Sequence, residues 1–254
     1  MHKLSSSAAL LLVVVCTLAA HAQQTLRVAA AADLQPLLPG ILSQFTAQTG
    51  IRTSASYNSS AVLATSIING APFDLFLAAD LSFPQRVVAA GMAEEPRPVP
   101  YARGTLVLWT RNDTPFHRLS IHSLEDPSLK TLAIANPKHA PYGQAALDAL
   151  QHLGLYPALQ PKLVVAENIA QAAQYVDSSN AQLGMISLTA ALTPRMEADG
   201  HYVLVPRHAY LPILQGAVVI RNSLNAQAAN RFLKFLESPS IARELEARGL
   251  VPVH

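Results

Sequence analysis

Short apolar runs alternate with polar turns and helical patterns along most of this 254-residue chain. Behind the first run, residues 26 to 31, apolar side chains recur at the spacing of one helix face: Leu34, Leu37, Leu38, Ile41, Leu42 and Phe45. Residues 51 to 68 and 73 to 90 repeat the order of strand, polar turn and helix. This alternation predicts an α/β fold in which helices cover parallel strands on both faces.

A second series of the same kind begins beyond a proline-rich break at residues 94 to 100. Its predicted strands are residues 105 to 110, 131 to 135 and 183 to 186, and its predicted helices are residues 144 to 153 and 169 to 176. Half of the residues are apolar, which is enough to build two lobes of ordinary domain size.

The two series predict two lobes that the chain enters and leaves through two crossings. We expect residues 23 to 102 and 212 to 254 to form lobe 1, and residues 103 to 211 to form lobe 2. Two further helices between residues 225 and 249 close lobe 1. Open α/β sheets bind ligands beyond the carboxyl ends of their strands, so the cleft between the lobes is the predicted site.

Residues 1 to 22 have the pattern of a secretory signal peptide. Lys3 supplies the positive start, an apolar stretch follows, and Ala20-His21-Ala22 is a small-x-small cleavage site. Cys16, the single cysteine, lies inside this segment, and the valines before it disfavour lipid attachment as the alternative. We therefore expect export to the periplasm of a chain that has no thiol for disulfides, catalysis or metal binding.

The charge balance disfavours nucleic acid as a partner. The chain has 18 Lys and Arg against 16 Asp and Glu, without a basic cluster. Four predicted strand-to-helix turns point instead to a small anion: Ala32-Asp33, Ser59-Ser60, Pro141-Tyr142-Gly143 and Asn168-Ile169. Helix N-termini that converge on one cleft hold an anion with backbone N–H groups and no cation. The alternative is that Asp33, Ser59 and Ser60 merely cap their helices.

Catalytic motifs are missing from the sequence. There is no G-x-S-x-G, H-E-x-x-H, G-x-x-x-x-G-K-[ST] or G-x-G-x-x-G pattern, and no two histidines have ligand spacing. We predict a binding protein without a cofactor rather than an enzyme. An exported enzyme that uses Asp33, Asp74 or His139 as acid or base remains an alternative.

Four segments resemble signature segments of the periplasmic molybdate-binding proteins of ABC importers. They are VAAAADL at residues 28 to 34, YNSS at 57 to 60, GAPFDLFLAAD at 70 to 80 and NPKHAPYG at 136 to 143. The resemblance covers residues 25 to 252, and the third segment is the most specific. It implies a type II periplasmic-binding-protein fold, with a mostly parallel sheet flanked by helices in each lobe and two crossover strands.

The resemblance also implies a function and a ligand. A monomer would capture a tetrahedral oxyanion, molybdate and also tungstate, and deliver it to an ABC membrane permease. A sensing role instead of transport is an alternative. Five positions of the family pattern fall on candidate oxyanion-binding residues of this chain: Asp33, Ser60, Tyr142, Ile169 and Ser187. Four neighbours are secondary candidates: Ala32, Asn58, Ser59 and Gly143.

Some of these positions depart from the family's side chains. Tyr142 and Ile169 keep the backbone N–H that the pattern uses, and the Tyr142 phenol can replace the tyrosine that Ser187 lacks. Asp33 stands where the family has a serine, and an ionised carboxylate cannot donate to a dianion and repels it. Asp33 then caps its own helix and offers only its N–H, accepts from a protonated oxyanion or water, or selects a different small oxyanion.

Overall fold

The computed structural model describes residues 25–253. The predicted signal peptide and Cys16 lie outside the described residues. The strands are β1 (Thr25–Ala31), β2 (Arg52–Asn58), β3 (Leu75–Ala78), β4 (Val99–Gly104), β5 (Leu106–Arg111), β6 (Leu132–Ala135), β7 (Leu163–Ala166), β8 (Leu183–Ser187), β9 (Gly200–Leu204), β10 (Ile213–Val219) and β11 (Val251–Pro252).

Ten α-helices lie between these strands in the described part of the chain. They are α1 (Leu38–Thr49), α2 (Ser60–Ile68), α3 (Ser82–Ala89), α4 (Pro141–His152), α5 (Tyr156–Leu159), α6 (Ile169–Asp177), α7 (Leu188–Ala191), α8 (Pro194–Asp199), α9 (Ala226–Leu236) and α10 (Pro239–Ala247). Within residues 25–253, none of these helices is long and apolar enough to cross a membrane.

The strands form two sheets, and the predicted α/β class is confirmed. One sheet has the order β11-β4-β10-β3-β1-β2 and the other the order β7-β6-β8-β5-β9. Three neighbouring strands are parallel in each sheet, β2-β1-β3 and β7-β6-β8. The other strands pair antiparallel. Both sheets are therefore mixed rather than mostly parallel, because one strand at each crossing, β5 and β10, runs against the parallel strands next to it.

The chain changes sheets at two places. β4 stays paired with β10 as far as Gly104, opposite Ile213, and β5 of the second sheet begins at Leu106. The change therefore falls at Thr105, slightly later than the predicted limit between residues 102 and 103. The return lies between β9 and β10, which includes the predicted crossing at residues 210 to 212. The limits of the lobes as folding units stay a prediction.

The segment after β1 differs from the predicted helix. Residues Ala32–Leu34 form a short 3-10 helix, and α1 begins only at Leu38. Gly50 ends α1 with a φ of 73°, the left-handed conformation that glycine adopts without strain, as the sequence predicted. Asp33 therefore lies in the short 3-10 helix that directly follows the carboxyl end of β1, and not at the start of α1.

Asp74 ties the amino ends of the first sheet together. Its carboxylate accepts from the Arg27 backbone N–H at 2.7 Å, from Arg27 Nε and Nη2, from Ser223 Oγ and from Asn225 Nδ2. Burial alone would raise the pKa of Asp74, but these hydrogen bonds outweigh it and hold the pKa below its usual range. Asp74 is thus a fully bonded structural group.

We expect Asp74→Asn to destabilise the protein by about 2 to 3 kcal/mol, because the buried donors around it lose a charged acceptor and one of them meets an amide NH₂. The midpoint of urea unfolding measures the loss. Asp113→Asn is the matched control, because Asp113 also pairs with an arginine but is 63% exposed, and its loss should be much smaller. Equal losses in the two variants would contradict the structural role of Asp74.

Candidate functional site

A small cavity lies where the two sheets face each other. The carboxyl ends of β1 and β2 meet there, with Ala31 opposite Asn58, and the N-termini of α2, α4 and α6 point to the same place. It is lined by Ala31, Ala32, Asp33, Asn58, Ser59, Ser60, Ala79, Ala140, Pro141, Tyr142 and Ile169. Its volume of about 10 Å³ is close to the least that holds one water molecule.

Seven of the nine predicted site residues line this cavity. They are Asp33, Ser60, Tyr142 and Ile169, with the secondary candidates Ala32, Asn58 and Ser59. The four predicted turns therefore meet, as the order of strands and helices implied. Sequence reasoning missed three small residues that also line the cavity, because the methyl side chain of alanine carries no chemical signal. They are Ala31, Ala79 and Ala140.

Two predicted residues do not line the cavity. Ser187 caps α7 by accepting from the Ala190 N–H at 3.3 Å, and it lines a larger groove next to α6 instead. At Gly143 a Cβ would overlap the Ala135 carbonyl group. Glycine there lets α4 pack closely on β6, which is a structural reason for the residue.

Two helix N-termini at the cavity have no side-chain cap. Ser59 precedes α2 and Ala140 precedes α4, and neither side chain accepts from the first turn of its helix in the described structure. Asn168 does cap α6, but through the N–H of Gln171. The N–H groups of Ser60, Tyr142 and Ile169 are first-turn donors with the positive end of a helix dipole behind them.

Two serine hydroxyls complete the donor set. Ser60 Oγ accepts from the Ala79 N–H at 3.0 Å, which leaves its own proton to donate. Ser59 Oγ is buried and has no hydrogen-bond partner among the described residues. Because neither hydroxyl caps its helix, the alternative that these serines are ordinary caps is wrong.

Asp33 is buried in the same wall, with 1% of its surface exposed. Oδ2 accepts from Gln215 Nε2 at 2.5 Å, whereas Oδ1 has no hydrogen-bond partner in the described residues. The prediction that Asp33 caps its own helix is wrong, because its side chain turns away from the helix and towards β10. Burial raises the pKa of Asp33 to about 6, although Gln215 and Tyr142 oppose the rise.

Two tyrosines surround this carboxyl group. Tyr101 on β4 donates to Gln215 Oε1 at 2.7 Å, so it fixes the amide that holds Asp33. The Tyr142 hydroxyl is close enough to Asp33 to affect its pKa and lies against Gly104, where a Cβ would overlap it. Sequence reasoning missed Gln215 and Tyr101. A signal for Gln215 was present, because it is the only polar side chain in the strand ILQGAVV.

Direct hydrogen bonds join the two sides of the cleft. The Ala61 N–H of α2 donates to the His139 carbonyl before α4 at 3.1 Å. Thr189 Oγ1, on α7, donates to the Asp33 carbonyl at 2.7 Å. With these bonds and its small volume, the cavity is in a closed arrangement, and a ligand enters only when the two sides move apart.

The residues of the enzyme alternative do not form a catalytic group. Asp74 is fully bonded far from the cavity lining, and the ring of His139 is not part of that lining. Within residues 25–253, no three metal-ligating side chains cluster. Asp33 alone brings a carboxyl to the cavity, without a nucleophile and base in contact.

A two-sheet α/β molecule with helix N-termini around a closed cavity has the architecture of a solute-binding protein. The chain matches the family described as bacterial extracellular solute-binding protein over residues 26–251, and it belongs to this family. The predicted resemblance and fold class are thereby confirmed.

Named relatives support this assignment. The molybdate-binding protein ModA of Rhodobacter capsulatus is 34% identical over 247 residues, which cover 97% of this chain and 96% of the relative. ModA of Azotobacter vinelandii is 35% identical over 223 residues, 88% of each chain. The solved structure of the Azotobacter vinelandii periplasmic molybdate-binding protein superposes with a TM-score of 0.84 at 31% identity, covering 89% of this chain and 98% of that chain.

We expect Asp33→Asn to stabilise the ligand-free protein at neutral pH. Because the folded-state pKa is raised from 3.8 to about 6, the ionisation of Asp33 opposes folding increasingly between about pH 4 and about pH 6, and by about 3 kcal/mol above that range. The neutral amide removes this cost, so urea unfolding at about pH 7.5 should give a gain of about 1 to 3 kcal/mol. The gain should shrink as the pH falls towards about 4, where folded Asp33 is protonated. A gain that does not change with pH would contradict the buried, ionised carboxylate.

Proposed function

We propose that this protein is an exported binding protein that captures molybdate in the cavity between its two sheets. The observation that carries the proposal is the meeting of uncapped helix N-termini and serine hydroxyls in one closed cavity. The relatives named as molybdate-binding proteins support the choice of ligand. Tungstate has the same shape and charge as molybdate, so we propose that it binds at the same site.

The proposed contacts use neutral donors throughout. Backbone N–H groups of Asp33, Tyr142 and Ile169 and the Ser60 hydroxyl would each reach one oxygen of the anion, with Ser59 as an additional donor. Such donors suit a dianion in a dry cavity, because each hydrogen bond to a charged acceptor is stronger than a neutral one. Neutral donors also avoid the cost of burying a lysine or arginine.

Closure of the cleft would let a membrane permease distinguish the ligand-bound protein from the empty one. A tetrahedral oxyanion is too large for a cavity of about 10 Å³, so the bound state would keep the two sides slightly further apart. The ligand would then bridge donors from both sides, α2 on one and α4 and α6 on the other. A ligand that binds the closed state better than the open one shifts the population towards closure. We propose that an ABC permease recognises that shape in the periplasm.

A thermal-shift panel tests the ligand class. Molybdate, tungstate, sulfate, phosphate and chromate would each be added to the purified protein at neutral pH. A ligand that binds only the folded state at about 1,000 times its Kd should add about 4 kcal/mol of stability. We expect molybdate and tungstate to raise the melting temperature most. A larger rise with another of these anions would favour the alternative that Asp33 selects a different oxyanion, and no rise with any of them would contradict the proposal.

We expect Ser60→Ala to weaken molybdate binding by about 1 to 3 kcal/mol, because a charged acceptor loses a donor in a dry cavity. Isothermal titration of the purified variant measures the change in Kd. Ser66→Ala is the matched control, because Ser66 lies on the same helix but is exposed and bonds only to the Val62 carbonyl. Unchanged affinity in the Ser60 variant would remove Ser60 from the site.

A further inference from the structure

Asp33 lines the proposed anion site, and no positively charged side chain of that lining balances its carboxyl. Asp33 is the only charged side chain among the eleven that line the cavity. Gln215 of β10 is neutral, and the titratable groups that face Asp33 from other elements are the phenols Tyr101 of β4 and Tyr142 of α4. Burial raises the pKa of both phenols well above that of free tyrosine, so both stay protonated. Neither phenol therefore has a charge that could balance the Asp33 carboxylate.

The two carboxyl oxygens have different surroundings. Oδ2 is held by the Gln215 amide, which Tyr101 fixes in turn. Oδ1 is buried and, like the hydroxyl of the neighbouring Tyr142, has no hydrogen-bond partner of ordinary geometry in the described residues. The carboxyl is therefore held in place by one oxygen, while Oδ1 and the Tyr142 hydroxyl, which both belong to residues of the cavity wall, are the unpartnered polar atoms next to the site. A buried polar atom without a partner is rare unless a ligand completes it.

Resting on the proposed function, we propose that capture of the oxyanion takes up one proton, which Asp33 Oδ1 shares with an oxygen of the anion. The dianion, the Asp33 carboxylate and one proton from solvent combine, so the occupied site carries two negative charges instead of three. Oδ1–H then donates to the dianion, or Oδ1 accepts from the protonated anion. Both arrangements contain the same number of protons and restore the hydrogen bond that a serine would supply.

The electrostatics of the empty site favour this proton. Burial already raises the pKa of Asp33 to about 6 before any ligand is present. A second negative charge within a few ångströms in a dry cavity raises the pKa of a carboxyl further. The proposal requires this additional rise to be large, so that the occupied site keeps the proton up to about pH 8.5. Asp33 then acts as a specificity-determining residue that links affinity to pH.

Calorimetry of the purified protein with sodium molybdate tests this inference. Linkage of one proton predicts that Kd rises about tenfold between about pH 7.5 and about pH 8.5, where free Asp33 is ionised. Binding heats in two buffers with different ionisation enthalpies should give an uptake of about one proton per molybdate. Asp33→Asn should bind with the same Kd at both pH values and take up no proton.

Asp80→Asn is the matched control. Asp80 is another carboxyl whose pKa burial raises, but it accepts from Ser82 and Phe83 and does not line the cavity. We expect this variant to keep the proton uptake of the unmodified protein. Proton uptake that survives in Asp33→Asn would place the proton elsewhere and overturn the inference. If that variant does not fold, the proton count of the unmodified protein still decides.

The outcomes separate the two proposals. Molybdate binding with a Kd that is constant from about pH 7.5 to about pH 8.5 and without proton uptake overturns the proton-linked capture and leaves the proposed function intact. Absence of molybdate and tungstate binding at every pH overturns both.

Discussion

Helix N-termini without side-chain caps meet across the cavity from opposite sides of the cleft, and the rest of the structure serves to place them there. α2 follows β2 of the first sheet, whereas α4 and α6 follow β6 and β7 of the second. The first-turn N–H groups of a helix need partners when they are buried. The N-termini of α2 and α4 have no side-chain cap in the described residues, although the His139 carbonyl accepts from the Ala61 N–H of α2. The proposed anion would satisfy first-turn donors from both sides at once.

The strand directions explain why these termini coincide. Parallel strands end at one edge of a sheet, so the helices that follow them begin there. In each sheet three parallel strands supply this edge, and antiparallel strands next to them carry the chain between the sheets. The same strands carry Tyr101 and Gln215, which hold Asp33. The strands that link the two sides of the cleft are therefore also the ones that fix its carboxyl group.

Local patterns in the sequence predicted those features that depend on neighbouring residues. The strand and helix periods, the end of α1 at Gly50 and the meeting of four turns all follow from short segments. Features that depend on residues far apart were missed or wrong. Asp33 resembles a helix cap when only its neighbours are known, but Gln215 lies 182 residues away and holds it elsewhere. Ser187 is a different case, because the family pattern placed it in the site, whereas its hydroxyl makes a local contact and accepts from the Ala190 N–H of its own helix α7.

Asp33 shows why a carboxyl in the proposed anion site need not be a defect. A serine offers one donor that does not change between about pH 4 and about pH 9, so its contact with an anion is independent of acidity. A buried carboxyl offers the same donor only when it has a proton, and in the proposed capture the charge of the ligand favours the uptake of one. Gln215 and Tyr101 fix the orientation of the carboxyl group, because Gln215 donates to Oδ2 and Tyr101 holds the Gln215 amide. This orientation does not depend on whether the proton is present. The site is thereby able to combine neutral donors with one group that responds to pH.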